Sequence, residues 1–360
     1  MIRMTDRKKR LFSLLLAAVW LAVSLPLAAC RPKAERFSEH SFDYFDTVTT
    51  ITGYAESREE FDRIAAEILS ELGEYHRLFT IYHRYGGMEN LCTVNEVVDG
   101  VHRTVKVDGR IMDLLLYAKD MYVKTGGRMN IAMGSVLSLW HDYREAGLDE
   151  PWNAELPPME ELRKAAEHTD INHVILDVEN CTVFLADPLM KLDVGAVAKG
   201  YAVEMVARGL EEQGITGFVL NVGGNVRTIG AKADGEPWTA GINNPEESEE
   251  KPYVAYLALS GESLVTSGSY QRYYTVNGKN YHHIIDPQTL MPAKGYLSVS
   301  VVCDSSADGD ALSTALFCMS VEEGRELVRS MDGVEALWIL TDGTQVASDG
   351  LGGYISETKS

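Results

Sequence analysis

The 360-residue sequence predicts an α+β protein, in which antiparallel strands and amphipathic helices occupy separate stretches. Asn277-Gly278 lies between two runs of β-forming residues, and this dipeptide favours a hairpin because both turn positions require positive φ. The β-forming runs 174–176 and 182–185 flank Glu179-Asn180 and predict a second hairpin. The strand predicted at 218–227 breaks at Gly223-Gly224 without a G-x-G-x-x-G pattern, which disfavours a Rossmann fold.

Helices are predicted where apolar residues recur at spacings of three and four. Ser57 has capping-box spacing to Glu60 and precedes a helix that continues to residue 75. Asp108 begins a second helix, which ends at Gly126-Gly127 because glycine favours the position after a helix. The remaining predicted elements are a first strand at 42–54, a helix that starts within 191–201 and stops at Gly214, and a helix at 308–319. A terminal strand pair is predicted from the strand 334–340 and the Asp342-Gly343 turn.

The first thirty residues have the layout of an export signal. Arg7-Lys8-Lys9-Arg10 precedes an apolar run at 11–29, which ends in small residues before Cys30. This ending resembles the lipobox of bacterial lipoproteins, so we expect cleavage before Cys30 and lipidation of its thiol, with an uncleaved anchor as the alternative. The protein would then be lipid-anchored at the extracytoplasmic face of the cell membrane, with 31–41 as a tether and 42–360 as the folded domain.

Charge excludes one large class of function. The chain has a formal net charge of −20, and removal of residues 1–30 takes away five basic residues and one acidic residue, which leaves −24. Such an acidic surface repels nucleic acid, so a nucleic-acid partner is not expected. A phosphate-bearing ligand would need a local metal or a helix N-terminus. Four cysteines remain without C-x-x-C spacing, which indicates small buried side chains rather than a disulfide framework.

Two histidines and several carboxylates are concentrated near the C-terminus. His282 and His283 follow the Asn277-Gly278 turn and are predicted on a strand, so only one of them can face a given cleft. Asp310 and Thr314 are four residues apart in a predicted helix and share one face. A carboxylate beside a hydroxyl suits magnesium and phosphate rather than zinc. A satisfied strand histidine and a helix-capping aspartate are the structural alternatives.

Six segments together resemble the ApbE family, the FAD:protein FMN transferases. They occur in the family's order, and the resemblance covers most of the chain from residue 42 to the C-terminus. Members are often exported lipoproteins, in agreement with Cys30. The segments are 191–201, Asn-Val-Gly-Gly-Asn at 221–225, Gly-Ile-Asn-Asn-Pro at 241–245, Val-Thr-Ser-Gly-Ser-Tyr at 265–270, His-His-Ile-Ile-Asp-Pro at 282–287 and Asp-Ala-Leu-Ser-Thr-Ala at 310–315.

The resemblance implies a two-lobed fold of largely antiparallel sheets flanked by helices, with the flavin nucleotide in the cleft between the lobes. It implies a magnesium-dependent enzyme that cleaves FAD, joins FMN to a threonine or serine of an acceptor protein and releases AMP. The acceptor would carry an Asp-Gly-x-Ser/Thr-Gly-Ala-Ser/Thr motif, as in a membrane redox subunit. FAD hydrolysis to FMN and AMP, and flavin binding without reaction, are the competing functions.

The resemblance also assigns roles to individual residues. His283 and Asp310 match catalytic positions, and the magnesium positions are Asp310, Thr314 and the carbonyl of Ala196, with Ser313 close by. Asn130 stands where many members have aspartate, and Leu290 replaces a common glycine. The positions that match FAD contacts are Phe45, Tyr82, Arg128, Met129, Asn130, Asp193, Lys199 and His283.

Overall fold

Antiparallel strands build most of the protein. The computed structural model describes residues 34–246 and 251–356, so the predicted export signal and Cys30 lie outside the described residues. The strands are β1 (Glu35–Ser41), β2 (Thr49–Ala55), β3 (Val97–Val98), β4 (Val101–His102), β5 (Val105–Lys106), β6 (Val174–Asp177), β7 (Thr182–Leu185), β8 (Phe218–Val222), β9 (Asn225–Ile229), β10 (Trp238–Asn243), β11 (Tyr253–Leu259), β12 (Ser263–Gly268), β13 (Tyr273–Val276), β14 (Lys279–His282), β15 (Tyr296–Cys303), β16 (Glu335–Leu340) and β17 (Gln345–Ala347).

The helices occupy the stretches between these strands. Short 3-10 helices lie at Ile131–Met133, Pro151–Asn153, Ile171–His173 and Leu351–Tyr354. The α-helices of the described residues are α1 (Arg58–Phe79), α2 (Leu91–Val94), α3 (Gly109–Lys124), α4 (Gly134–Asp149), α5 (Met159–Ala166), α6 (Ala198–Glu212), α7 (Ser306–Phe317) and α8 (Val321–Arg329).

One large sheet organises the described residues. Its eight strands follow the order β1-β2-β8-β9-β12-β15-β16-β17, and every neighbouring pair is antiparallel. Smaller sheets are formed by β3-β4, β5-β7-β6, β10-β11 and β13-β14. The predicted α+β class with largely antiparallel sheets is confirmed, and so are both predicted hairpins.

Both faces of the large sheet are buried at its inner strand β15. Val301 of β15 belongs to the main core beneath α1, α3, α6 and α7, whereas its neighbour Val302 belongs to a smaller core beneath β10 and β11. Successive strand residues point to opposite faces, so the adjacent valines of β15 serve different cores. Helix α7 packs on β12 and β15 and against α6. The main core therefore fixes α6 and α7 relative to the sheet.

A third core supports the hairpin that precedes His283. Met133, Val136 and Trp140 pack with Tyr274 and Val276 of β13 in this core. The indole nitrogen of Trp140 donates a hydrogen bond to the carbonyl of Leu290 at 2.9 Å. The β13–β14 hairpin is thus held by α4 rather than by the large sheet.

Several local predictions are confirmed. Ser57 caps α1, because its side chain accepts a hydrogen bond from Glu60 N at 3.2 Å, and Asp108 caps α3 in the same way through Arg110 N. Asn277 and Gly278 have φ of 50° and 76°, as the two-residue turn requires. The terminal pair β16–β17 is also present.

Two predicted boundaries at the N-terminal end are wrong. Within the expected tether, residues 35–41 form β1, because its backbone pairs with β2 and Phe37 packs on Phe61 with ring centroids 5.6 Å apart. Within the expected strand 42–54, residues 42–48 are a loop, since Phe45 and Asp46 have positive φ of 56° and 50° and cannot continue a strand.

Smaller corrections concern the ends of other elements. Helix α7 begins at Ser306 rather than at Asp308, because Ser305 is its cap and accepts from Asp308 N. Cys303 and Cys318 are buried, whereas Cys92 and Cys181 are partly exposed, and all four are free thiols. Within 34–246 and 251–356, no helix is long and apolar enough to cross a membrane.

Candidate active site

Asp310 lies at the centre of a polar cluster between α6 and α7. Only 6% of its surface is exposed. One carboxylate oxygen, Oδ1, is 3.2 Å from the Lys199 ammonium, and the other, Oδ2, accepts a hydrogen bond from Gly200 N at 2.8 Å. The carboxylate is therefore fixed from two sides by adjacent residues of α6.

Gly200 allows this close approach of the two helices. A Cβ at this position would lie 2.3 Å from the Ser306 carbonyl oxygen and 2.4 Å from Asp310 Cβ. Gly200 therefore serves the packing of α6 on α7, and its N–H is engaged by Asp310.

Asn225 completes the cluster and was not predicted as a site residue. It is fully buried at the start of β9. With its amide oxygen turned towards α6, that oxygen accepts from Lys199 Nζ at 2.6 Å and from Gly200 N at 3.0 Å. Its place in the segment 221–225 could have indicated this role, because the hairpin fixes the direction of the polar side chain that follows the Gly-Gly turn.

The other predicted magnesium positions lie on the same two segments. Ala196 lies in the turn before α6, and Thr314 is partly buried one helical turn after Asp310. Ser313 is fully buried, and its hydroxyl donates to the Asp310 carbonyl at 3.1 Å and is 2.8 Å from the Ser267 hydroxyl. Among 34–246 and 251–356, no group of three or more His, Cys, Asp or Glu is placed to hold a metal.

This donor set fits magnesium. It offers one carboxylate, hydroxyls and a backbone carbonyl, and hard oxygen ligands are those that magnesium prefers. The Lys199 ammonium on Asp310 Oδ1 already shows that this carboxylate attracts a cation.

His282 and His283 have different environments. His282 ends β14 and uses both ring nitrogens, because Nε2 donates to the Ala293 carbonyl at 2.8 Å and Nδ1 accepts from Ile284 N at 3.2 Å. Its ring also meets Phe317 edge to face at 5.5 Å. His282 is thus a structural residue, and the prediction that only one of the two can face a cleft agrees with this geometry.

His283 lies one residue beyond the strand on which it was predicted. Its backbone N–H and its Nδ1 both contact the Arg272 carbonyl, each at 3.1 Å. A carbonyl only accepts, so Nδ1 carries the proton and Nε2 keeps its lone pair. Burial lowers the pKa of His283 to about 4, and the positive charges of Arg272 and Arg144 act in the same direction. The imidazole is therefore neutral at pH 7.

His141 and Arg144, which the sequence did not single out, lie next to the predicted flavin contact Tyr82. Tyr82 is 57% exposed, and its ring lies 5.3 Å from that of His141. Arg144 donates to His141 Nδ1 at 3.0 Å. Partial burial raises the pKa of Tyr82, and the negative charge of Asp193 adds to this effect. Aromatic, cationic and acidic groups thus meet on this side of α4.

Asp193 and Phe45 are each fixed by a backbone contact. The Asp193 carboxylate accepts from Gly195 N at 2.8 Å, and burial raises its pKa. Phe45 N donates to His76 Nδ1 at 3.1 Å, and the two rings meet edge to face at 5.5 Å. Arg272 reaches the same loop, since its guanidinium donates to the Asp46 carbonyl at 3.3 Å.

The segment 128–130 is engaged within the fold. Arg128 donates to the Cys318 carbonyl at 2.7 Å and pairs with Glu323 at 3.1 Å. Met129 is only 1% exposed and belongs to the main core. Asn130 donates to the Thr169 carbonyl at 3.0 Å and accepts from Ala132 N at 2.9 Å. These contacts tie the segment to neighbouring elements, and its contact with FAD stays a prediction.

Known proteins are similar to this chain in sequence and in fold. The model of the ApbE family matches residues 45–338. A relative from Klebsiella pneumoniae (strain 342), named FAD:protein FMN transferase, is 34% identical over 272 residues, which are 73% of this chain and 81% of the relative. A relative of the same name from Treponema pallidum (strain Nichols) is 34% identical over 69% of this chain and 70% of its own length.

Solved structures agree with these matches. The crystal structure of the ApbE protein from Thermotoga maritima superposes with a TM-score of 0.78 at 28% identity and covers 90% of this chain and 100% of its own. The flavin transferase ApbE from Vibrio cholerae superposes with a TM-score of 0.71 at 23% identity over 89% of this chain and 99% of its own, a similarity that concerns the fold alone.

Proposed function

The chain belongs to the ApbE family, and we propose that this enzyme transfers FMN from FAD to a threonine or serine hydroxyl of an acceptor protein with the help of magnesium, releasing AMP. The observation that carries the proposal is the polar cluster of Asp310, Lys199, Gly200 and Asn225. It provides one buried carboxylate and one cation within a protein of strong negative charge. A pyrophosphate could approach such a protein only where positive charge is concentrated.

Asp310, Thr314 and the Ala196 carbonyl would hold magnesium. The Ser313 hydroxyl would support Asp310 through its hydrogen bond to the Asp310 carbonyl. When bound, the metal would neutralise negative charge on the pyrophosphate oxygens. Lys199 can serve the same phosphates, because its ammonium lies 3.2 Å from Asp310 at the edge of the cluster and remains 24% exposed. Phe45, Tyr82 and Asp193 are proposed to contact other parts of FAD.

His283 is proposed as the general base. Its free Nε2 takes the proton from the acceptor hydroxyl while that oxygen forms a bond to the phosphorus of the FMN half. The bond between this phosphorus and the bridging oxygen breaks, and AMP leaves with the bridging oxygen. The proton on Nε2 then passes to AMP or to solvent. The Arg272 carbonyl holds the Nδ1–H tautomer throughout, which keeps Nε2 directed away from the backbone.

Incubation of the protein with FAD, magnesium and an acceptor that carries the Asp-Gly-x-Ser/Thr-Gly-Ala-Ser/Thr motif tests the proposal. Mass spectrometry should show the acceptor gaining one FMN, with AMP formed in equal amount. EDTA should abolish the product, and added magnesium should restore it. An acceptor whose motif hydroxyl is replaced by alanine is the matched control. Free FMN and AMP without acceptor modification would instead establish FAD hydrolysis.

Cys30 is proposed to anchor the enzyme at the extracytoplasmic face of the membrane, where a membrane redox subunit would be its acceptor. The basic segment 7–10, the apolar run 11–29 and the small residues before Cys30 support this proposal. Metabolic labelling with a fatty acid should mark the wild-type protein, and Cys30→Ser should lose the label and become extractable without detergent. An unlabelled wild-type protein would contradict the anchor.

A further inference from the structure

A second buried polar cluster lies behind the Asp310 cluster. Glu204 and Arg227 are its centre, with 2% and 4% of their surfaces exposed. Glu204 Oε2 accepts from Arg227 Nε at 3.0 Å and from Ser306 N at 2.9 Å. Arg208 donates to the other Glu204 oxygen at 2.8 Å, and Arg227 also pairs with Glu211 at 3.0 Å. One carboxylate therefore joins a helix start, a strand and a second helix.

Both clusters connect the same three elements. Glu204 lies one turn after Gly200 on α6, and Arg227 lies two residues after Asn225 on β9, hence on the same face of that strand. Ser306 lies one turn before Asp310 on α7. The two clusters are thus neighbouring cross-links between α6, β9 and α7.

We infer that Glu204 is a positioning residue for the Asp310 site. This inference rests on the proposed magnesium site and adds a residue to it. Glu204 binds the first N–H of α7, a group that has no partner within its own helix. The negative charge of Glu204 also interacts favourably with the positive N-terminal end of the α7 dipole. Glu204 thereby fixes how far α7 is shifted along α6, and that shift decides where the Asp310 carboxylate stands relative to Lys199 and the Ala196 carbonyl.

Glu211 provides a matched control on the same helix. Glu211 binds the same guanidinium as Glu204, but it is far more exposed and no hydrogen bond joins it to Ser306. Glu204→Gln and Glu211→Gln therefore remove the same charge next to the same arginine. Only the first changes the link to the start of α7.

Manganese binding to the FAD-free protein tests the inference. Electron paramagnetic resonance measures the concentration of free manganese, and thermal unfolding shows whether each variant is folded. Wild type should bind one manganese ion that Asp310→Asn does not bind. Glu204→Gln should bind it about tenfold more weakly, as changes behind a metal ligand usually do. Glu211→Gln should keep wild-type affinity even if its melting temperature falls.

The outcomes separate the inference from its premise. Manganese binding by Asp310→Asn at wild-type affinity would overturn the metal site and the inference together. Loss of binding in Asp310→Asn with unchanged affinity in Glu204→Gln would overturn the inference alone, and so would an equal loss in both glutamine variants. If Glu204→Gln does not fold, Glu204→Asp decides. It keeps the charge beside Arg227 but is one methylene too short for Ser306 N, so it should also lose about tenfold in affinity.

Discussion

The surroundings of Asp310 and of His283 differ in how many contacts fix each side chain. Asp310 is buried between two helices, and both its oxygens have partners on α6. His283 lies just beyond a two-stranded hairpin and has one side-chain partner, the Arg272 carbonyl. The hairpin itself is supported by the small core around Trp140 rather than by the large sheet.

The difference indicates a division of labour. A metal site needs ligands at fixed distances, which a rigid contact between α6, α7 and β9 provides. A general base needs a free lone pair, which the Nδ1–H tautomer of His283 leaves on Nε2. We therefore expect substitutions at Asp310 to affect binding, stability and rate together, and those at His283 to affect the rate alone.

Asp310→Asn should have the largest combined effect, because it lowers turnover and stability together. The change removes the only carboxylate of the proposed site, so turnover should fall at least about a hundredfold. It also leaves the Lys199 ammonium without its counter-charge in a mostly buried position, which should cost about 3 kcal/mol of unfolding free energy. Acceptor flavinylation and urea denaturation measure the two effects. Asp304→Asn, an exposed change just before α7, should alter neither. Normal turnover in Asp310→Asn would contradict the role of Asp310 as the metal-binding residue.

His283→Ala should slow transfer with little change in stability. If Nε2 is the base, the single-turnover rate at saturating FAD should fall by roughly a hundredfold to ten-thousandfold. His282→Ala is the control, because it removes two hydrogen bonds and the contact with Phe317 and should lower stability by about 2 kcal/mol while the rate stays near that of wild type. The reverse pattern, with His282→Ala slow and His283→Ala normal, would exchange the two roles.

The pH profile should sharpen the assignment with a smaller effect. Because the base acts in its neutral form and the pKa of His283 is about 4, the rate should be level from pH 5 to 7 and fall about tenfold per unit below 4. In the folded protein this pKa lies below its ordinary 6.5, so the unfolded chain takes up the proton first and stability falls as the pH drops from 6.5 to 4. Circular dichroism separates the two effects. An inflection near pH 6.5 that His283→Gln leaves in place would assign the base elsewhere.

The sequence predicted the elements that local rules determine. Capping by Ser57 and Asp108 and the Asn277-Gly278 turn depend on residues within a few positions, and the structure has all of them. Resemblance in six segments predicted the ApbE family, and the family match over residues 45–338 confirmed that prediction. The strand β1 was missed because its polar composition hides a single anchor, Phe37, whose partner Phe61 is distant in sequence.

The cross-links of the site could not be predicted from the sequence. Gly200, Asn225 and Asp310 come from α6, β9 and α7, and only the packing of these elements shows that they share hydrogen bonds. The same holds for Arg128, whose partners Cys318 and Glu323 are distant in sequence. Local sequence patterns do not indicate which residues distant in sequence become partners in the fold.

The most direct test of the division of labour is the FAD affinity of three proteins, measured by flavin fluorescence with magnesium present. Compared with wild type, His283→Ala should bind FAD within about twofold, because the histidine acts only on the acceptor proton. Asp310→Asn should bind at least about tenfold more weakly, because the pyrophosphate charge is no longer neutralised. If His283→Ala loses affinity and transfers FMN at the normal rate once saturated, the histidine is a binding residue and the proposed division is wrong.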